Sequence, residues 1–115
     1  MRLPNGKRAI VDIRKLRDYC LNPDSPRGRH KARVFASSLG LSVVDAAYLR
    51  RKLLEAALSG ESRRRELDLH GQRYAIDFEI RTGTGEATIR SGWIILRGKR
   101  APRLTSCYVR KRKRK

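Results

Sequence analysis

The sequence predicts an α+β domain in which two or three N-terminal helices pack on one face of a four-stranded antiparallel meander. Three observations predict it. Arg73 to Ile80 reads RYAIDFEI, with Tyr74, Ile76, Phe78 and Ile80 on one side and Ala75, Asp77 and Glu79 on the other. A Gly-containing turn, Thr82 to Gly85, leads into a second strand run, Glu86 to Leu96, where Ala87, Ile89, Trp93 and Ile95 share one parity. Upstream of both, apolar residues recur at helical spacing. Helices followed by strands imply a sheet covered on one face, with the other face open for a ligand.

Taken in order, Met1 to Arg8 is an irregular arm and Ala9 to Val11 a short edge strand. Asp12 caps a helix from Ile13, whose apolar face is Ile13, Leu16 and Cys20. Asn22-Pro23 and Ser25-Pro26 break the chain. The second helix starts near Pro26, behind Asp24 or Ser25, and buries Ala32, Phe35, Ala36 and Leu39 before stopping at Gly40. Ser42 to Asp45 reads as a capping box for a third helix that runs to about Ser59. Arg65 to Leu69 reads as the first strand, and His70-Gly71 as a tight turn into the central hairpin. A basic loop, Arg97 to Pro102, precedes the last strand, Arg103 to Val109.

A chain of 115 residues is expected to form a single domain, here 1–109, followed by a basic tail, 110–115. Lys and Arg number 29 against 11 Asp and Glu, a net charge of +18. The six cations from Arg110 to Lys115 account for part of it, and removing them still leaves +12. Self-repulsion of that size points to a polyanionic partner; the alternative is a solvated basic surface. Two cysteines, Cys20 and Cys107, build neither a metal cluster nor a disulfide framework; free thiols in a reducing compartment are expected, with a Cys20–Cys107 bridge as the alternative. There is no long apolar run and no apolar leader, so a cytoplasmic protein is expected. No phosphate loop, HExxH or paired-cysteine motif is present, and neither a metal nor a cofactor is expected.

Two groups of residues are candidates for chemistry. The first is Arg27-Gly28-Arg29-His30-Lys31, with Arg33 one turn on. A helix start attracts phosphate through free N–H groups and the dipole. His30 brings an imidazole, suited to acid–base work near neutral pH. The Lys31 stem can lie along the apolar stripe and carry its amine to the helix–sheet seam, where it can stabilise a charged transition state. The plainer reading is a basic turn that only positions nucleic acid. The second group joins Arg90-Ser91-Gly92-Trp93 to Arg103-Leu104-Thr105-Ser106-Cys107-Tyr108, neighbours in a meander. Arg90 can grip phosphate with a forked hydrogen bond, unless Asp77 or Glu79 pairs with it across the sheet. Ser106 and Tyr108 can donate to phosphate or ribose. Trp93 or Tyr108 can stack a base, although a lone Trp in an apolar strand is more often core. Arg97, Lys99, Arg100 and Arg103 extend the basic surface.

The motif set resembles a family of small bacterial proteins of toxin type. The likeness rests on Leu3-Pro4-Asn5, on Tyr19 and Leu21, on Gly28 to Phe35, on Gly71 and Tyr74, on Arg90 to Trp93, and on Pro102 to Tyr108. It implies the barnase–EndoU–colicin–RelE ribonuclease fold, helices followed by a four-stranded antiparallel sheet. Members of the family commonly carry Thr at the positions of Ser91 and Ser106, and Ser at that of His30, which makes Lys31 the stronger catalytic candidate. The resemblance implies a metal-independent endoribonuclease acting on RNA, restrained by a small acidic antitoxin or immunity protein. The rival readings are a non-catalytic RNA- or DNA-binding protein, for instance on the ribosome, and a protein-interaction module whose charge is incidental.

Overall fold

The computed structural model describes residues 1–110. The expected tail lies outside the described residues, apart from Arg110, whose N–H donates to the Thr88 carbonyl at 2.9 Å. Among the described residues no single helix is long and apolar enough to cross a membrane.

Helix α1 starts at Ile13–Lys15, where the Asp12 carboxylate accepts the Arg14 N–H as the cap expected. It then widens into a π-helical stretch, Leu16–Cys20, that turns Leu16 and Cys20 into the core. Helix α2 spans Arg29–Leu39 and so begins three residues after the expected Pro26. Ser25 is the reason. Its hydroxyl accepts the Gly28 N–H at 3.1 Å and its carbonyl the Arg29 N–H at 2.9 Å, which holds the preceding residues as a turn. A Cβ on Gly28 would lie 1.9 Å from the Tyr19 carbonyl oxygen, so only glycine lets α2 start against the end of α1. Helix α3, Ala46–Ser59, follows the capping box of Ser42 and Asp45 through one tight turn, as the sequence suggests.

The four strands follow in meander order, all antiparallel: β1 Ser62–Leu67, β2 Gly71–Arg81, β3 Glu86–Leu96 and β4 Arg103–Val109. The last two match expectation. Strand β1 starts earlier and ends earlier than Arg65 to Leu69. Asp68 and Gly71 exchange N–H···O bonds of 3.0 and 3.2 Å, which leaves Leu69 and His70 as the exposed link. The expected strand at Ala9 to Val11 reduces to a single parallel bridge, with Ile10 donating to Pro102 and accepting from Leu104.

The helices cover the face that carries Tyr74, Ile76, Ile80, Ala87, Ile89 and Trp93. Phe35, Leu49, Leu53, Ile76, Ile89 and Trp93 have essentially no exposed surface, and each such side chain contributes about 1.5–3 kcal/mol on burial. Trp93 was a candidate stacking platform. The structure corrects this: its ring is 0% exposed, so no base can reach its face. Its Nε1–H donates to Ser91 Oγ at 2.9 Å, and that hydroxyl donates to the Ile76 carbonyl at 2.8 Å. Ser91 thus satisfies two polar groups inside the core. Cys20 and Cys107 are both buried free thiols.

Candidate functional site

The uncovered face carries Arg73, Ala75 and Asp77 on β2 and Arg90, Gly92 and Ile94 on β3, as their cross-strand pairing shows. At its centre Ala75 stands directly opposite Gly92, so the floor there is low. Both flanking strands depart from a regular ladder at this level. On β1, Arg65 and Glu66 lie between two paired positions that on β2 enclose Arg73 alone. On β4, Leu104 pairs with Trp93 and Ser106 with Gly92, which makes Thr105 an extra residue. Such bulges twist a strand and re-aim its side chains. Here the extra residue lets Leu104 and Cys107 both face the core, while Ser106 and Tyr108 face out.

The result is two clefts that share Thr105 and Ser106. One, of about 230 Å³, lies on the open face, lined by Glu66, Arg73, Arg90 and Tyr108 among others. The other, of about 300 Å³, lies at the helix–sheet seam, lined by Lys15, Tyr19, Arg27 and Lys31. Gly92 makes the shared part possible: a Cβ there would sit 2.6 Å from Ser106 Oγ and 3.0 Å from Thr105 Oγ1. The Lys31 amine lies 5.4 Å from the centre of the Tyr108 ring, so it reaches the seam as its position on α2 implies.

Electrostatics set the second feature. Asp77 receives a forked bond from Arg90, 2.9 and 3.0 Å, and a further bond from Arg110 at 3.0 Å. Arg63 approaches at 3.7 Å. The Asp77 carboxyl is held below its usual range, first by the Arg90 bond and then by the surrounding arginine charges. Arg90 is correspondingly pushed up, chiefly by Asp77 and further by Tyr108. The fork expected to grip phosphate is therefore occupied by Asp77. Arg90 brings a fixed guanidinium with its remaining N–H to the cleft, and one carboxylate offsets three cations.

Other candidates are dispersed. Arg29, His30 and Arg33 are exposed on α2 and line neither cleft, so His30 is not brought to the site. The N–H groups of Gly28 and Arg29 are already bonded to Ser25, which removes them from phosphate binding. Arg97 ties the β1–β2 link by donating to the Leu69 carbonyl at 2.8 Å. Lys99, Arg100 and Arg103 line a separate hollow with Arg8. Sequence reasoning missed Arg65 and Glu66, because a bulge leaves no periodic trace, and Arg73, which reads only as part of a strand; Thr105 falls within the second group but has no role there. Among the described residues no three His, Cys, Asp or Glu side chains are grouped as a metal would require.

Fold and site together define an α+β protein with a four-stranded meander and a basic, hydroxyl-lined cleft at the bulged edge of its bare face. The chain belongs to the family described as a domain of unknown function, DUF6883, which matches residues 2–111. Its fold is shared with a chain of a contact-dependent growth inhibition toxin–immunity protein complex from Klebsiella pneumoniae 342, with a TM-score of 0.65 and 13% identity over 88% of this chain and 99% of that one. No curated protein matches the sequence.

Proposed function

We propose that the protein is a toxin-type, metal-independent endoribonuclease, restrained by a small acidic immunity or antitoxin protein. The observation that carries the reading is the convergence of Lys31, Arg90, Ser106 and Tyr108, from α2, β3 and β4, on two adjoining clefts. The net charge of +18 supplies attraction for the sugar–phosphate chain. The fold shared with a chain of a toxin–immunity complex supports both the toxin reading and the partner.

In this reading the RNA backbone runs across Thr105 and Ser106, from the open face to the seam. The ribose 2′ oxygen attacks the adjacent phosphorus, and the bond to the 5′ oxygen breaks. Lys31 and Arg90 stabilise the charge of the pentacoordinate intermediate, where one preorganised donor is worth roughly 10²–10³ in rate. Ser106 positions the phosphate by hydrogen bonding. Tyr108 donates its proton to the leaving 5′ oxygen. A buried acidic surface on the partner would cover these cations.

The test is incubation of the purified protein with total RNA in EDTA. Cleavage is expected, and Lys31→Ala should lower it about 10²-fold or more while RNA affinity falls far less. Intact RNA at high protein concentration, with tight salt-sensitive binding, would overturn the nuclease reading in favour of a non-catalytic nucleic-acid-binding protein.

A further inference from the structure

The ribonuclease reading, on which this inference rests, leaves the attacking 2′ hydroxyl without a group to take its proton. The cleft lining narrows the choice. Lys and Arg side chains are donors with no acceptor capacity. His30 lines neither cleft. Asp77 is already held by three guanidiniums.

Glu66 and Asp24 differ from the other carboxylates. Seven acidic side chains sit in ion pairs, and those of Asp45 and Glu79 accept hydrogen bonds. Asp24 and Glu66 do neither among the described residues, but Asp24 lines neither cleft, whereas Glu66 shares its cleft with Arg65, Arg73 and Arg90. In so cationic a protein, a carboxylate left without a partner beside three arginines is a group kept for a ligand. Its place is set by the β1 bulge, and the β4 bulge faces it from the far strand. The two irregularities bring a carboxylate and a pair of hydroxyls to opposite walls of one cleft, over the low floor of Ala75 and Gly92.

We infer that Glu66 is the general base of this cleft and takes the 2′ proton as the ribose oxygen attacks phosphorus. Charge and protons balance. Glu66 becomes neutral, Tyr108 gives its proton to the 5′ oxygen, and the proton on Glu66 returns to Tyr108 through water in the cleft. The products are a 2′,3′-cyclic phosphate and a free 5′ hydroxyl. The charged and titratable groups around Glu66 are Arg65 on its own strand, Arg73 on β2, Arg90 on β3 and Tyr108 on β4.

The test compares Glu66→Gln with wild type on one RNA oligonucleotide in EDTA, reading kcat/KM across pH, and affinity on its uncleavable 2′-deoxy analogue. The side chain is exposed, so the variant is expected to fold, which its thermal unfolding checks. The expected result is a loss of about 10²–10⁴ in kcat/KM, disappearance of the acid limb of the pH profile, and affinity equal to or tighter than wild type. If wild type cleaves and Glu66→Gln cleaves within threefold, or keeps the acid limb, the assignment of Glu66 is overturned alone. If wild type itself leaves the oligonucleotide intact, the ribonuclease reading and this assignment both fall.

Discussion

Gly92→Ala offers a direct probe of the shared part of the two clefts. The new Cβ would sit 2.6 Å from Ser106 Oγ and 3.0 Å from Thr105 Oγ1. Comfortable carbon–oxygen contact starts near 3.4 Å, so the Ser106 hydroxyl has to retreat by roughly 0.8 Å or turn to another rotamer. Overpacking of this kind costs about 1–3 kcal/mol, and both hydroxyls are small, so the low end applies. Removing a strand glycine returns about 0.5–1 kcal/mol. With about 1 kcal/mol lost and about 0.5–1 kcal/mol returned, the net loss expected is about 0–0.5 kcal/mol, read by urea unfolding. Truncating Ser106 should relieve the clash. Gly92→Ala in a Ser106→Ala background is then expected to be less damaging by about 1 kcal/mol, a coupling that a double-mutant cycle measures. RNA cleavage should fall much further than stability, by about 10²-fold, because a displacement near 1 Å spoils alignment. Additive stability effects, within about 0.3 kcal/mol, would refute the claim that glycine is there to make room for the hydroxyl.

Two other outcomes are expected. Ser91→Ala removes the hydroxyl that links Trp93 Nε1 to the Ile76 carbonyl; each buried group left unpaired costs about 1–3 kcal/mol, which denaturant unfolding would register and Ser91→Thr should largely avoid. Stability should also fall in acid. The carboxyls of Asp12 and Asp68 are held at about 2, against an ordinary 3.8, by hydrogen bonds from Arg14 and Arg73 respectively. A depressed native value stabilises the fold above the unfolded value, so this contribution is complete above about pH 4 and is lost as pH drops toward 2. An acid titration followed by circular dichroism should show it, with a shallower fall in Asp68→Asn.

The legible parts of the molecule are those governed by repeating patterns. Strands β3 and β4 could be bounded from alternation and flanking Gly and Pro, and α3 from its capping box. The start of α2 was misplaced because Pro26 is a good first-turn residue, whereas the decisive interaction is local: Ser25 bonds Gly28 and Arg29 and holds a turn. Strand β1 was misread because its charged residues show no alternation and its ladder is broken at Arg65 and Glu66. The same break left Glu66, which lies inside the expected strand, with no mark of a site residue. Lys31 and Tyr108 could be placed on opposite sides of one seam, since one follows from helix spacing and the other from meander order. The engagement of Arg90 by Asp77 was visible as an option, because strand register decides it and the two residues stand directly opposite.

The inserted Thr105 also changes what kind of variation β4 can absorb. Before it, the even-numbered Leu104 turns inward; beyond it, the odd-numbered Cys107 does. Removing Thr105 would leave Leu104, Ser106, Cys107 and Tyr108 opposite Trp93, Gly92, Ser91 and Arg90 in an unbroken ladder, with the same side chains turned inward and outward. A one-residue change in the regular part of the strand has no such outlet and exchanges the two sets beyond it. Strand β4 can therefore shorten at its bulge, where it already carries a residue in excess, and nowhere else without turning side chains over.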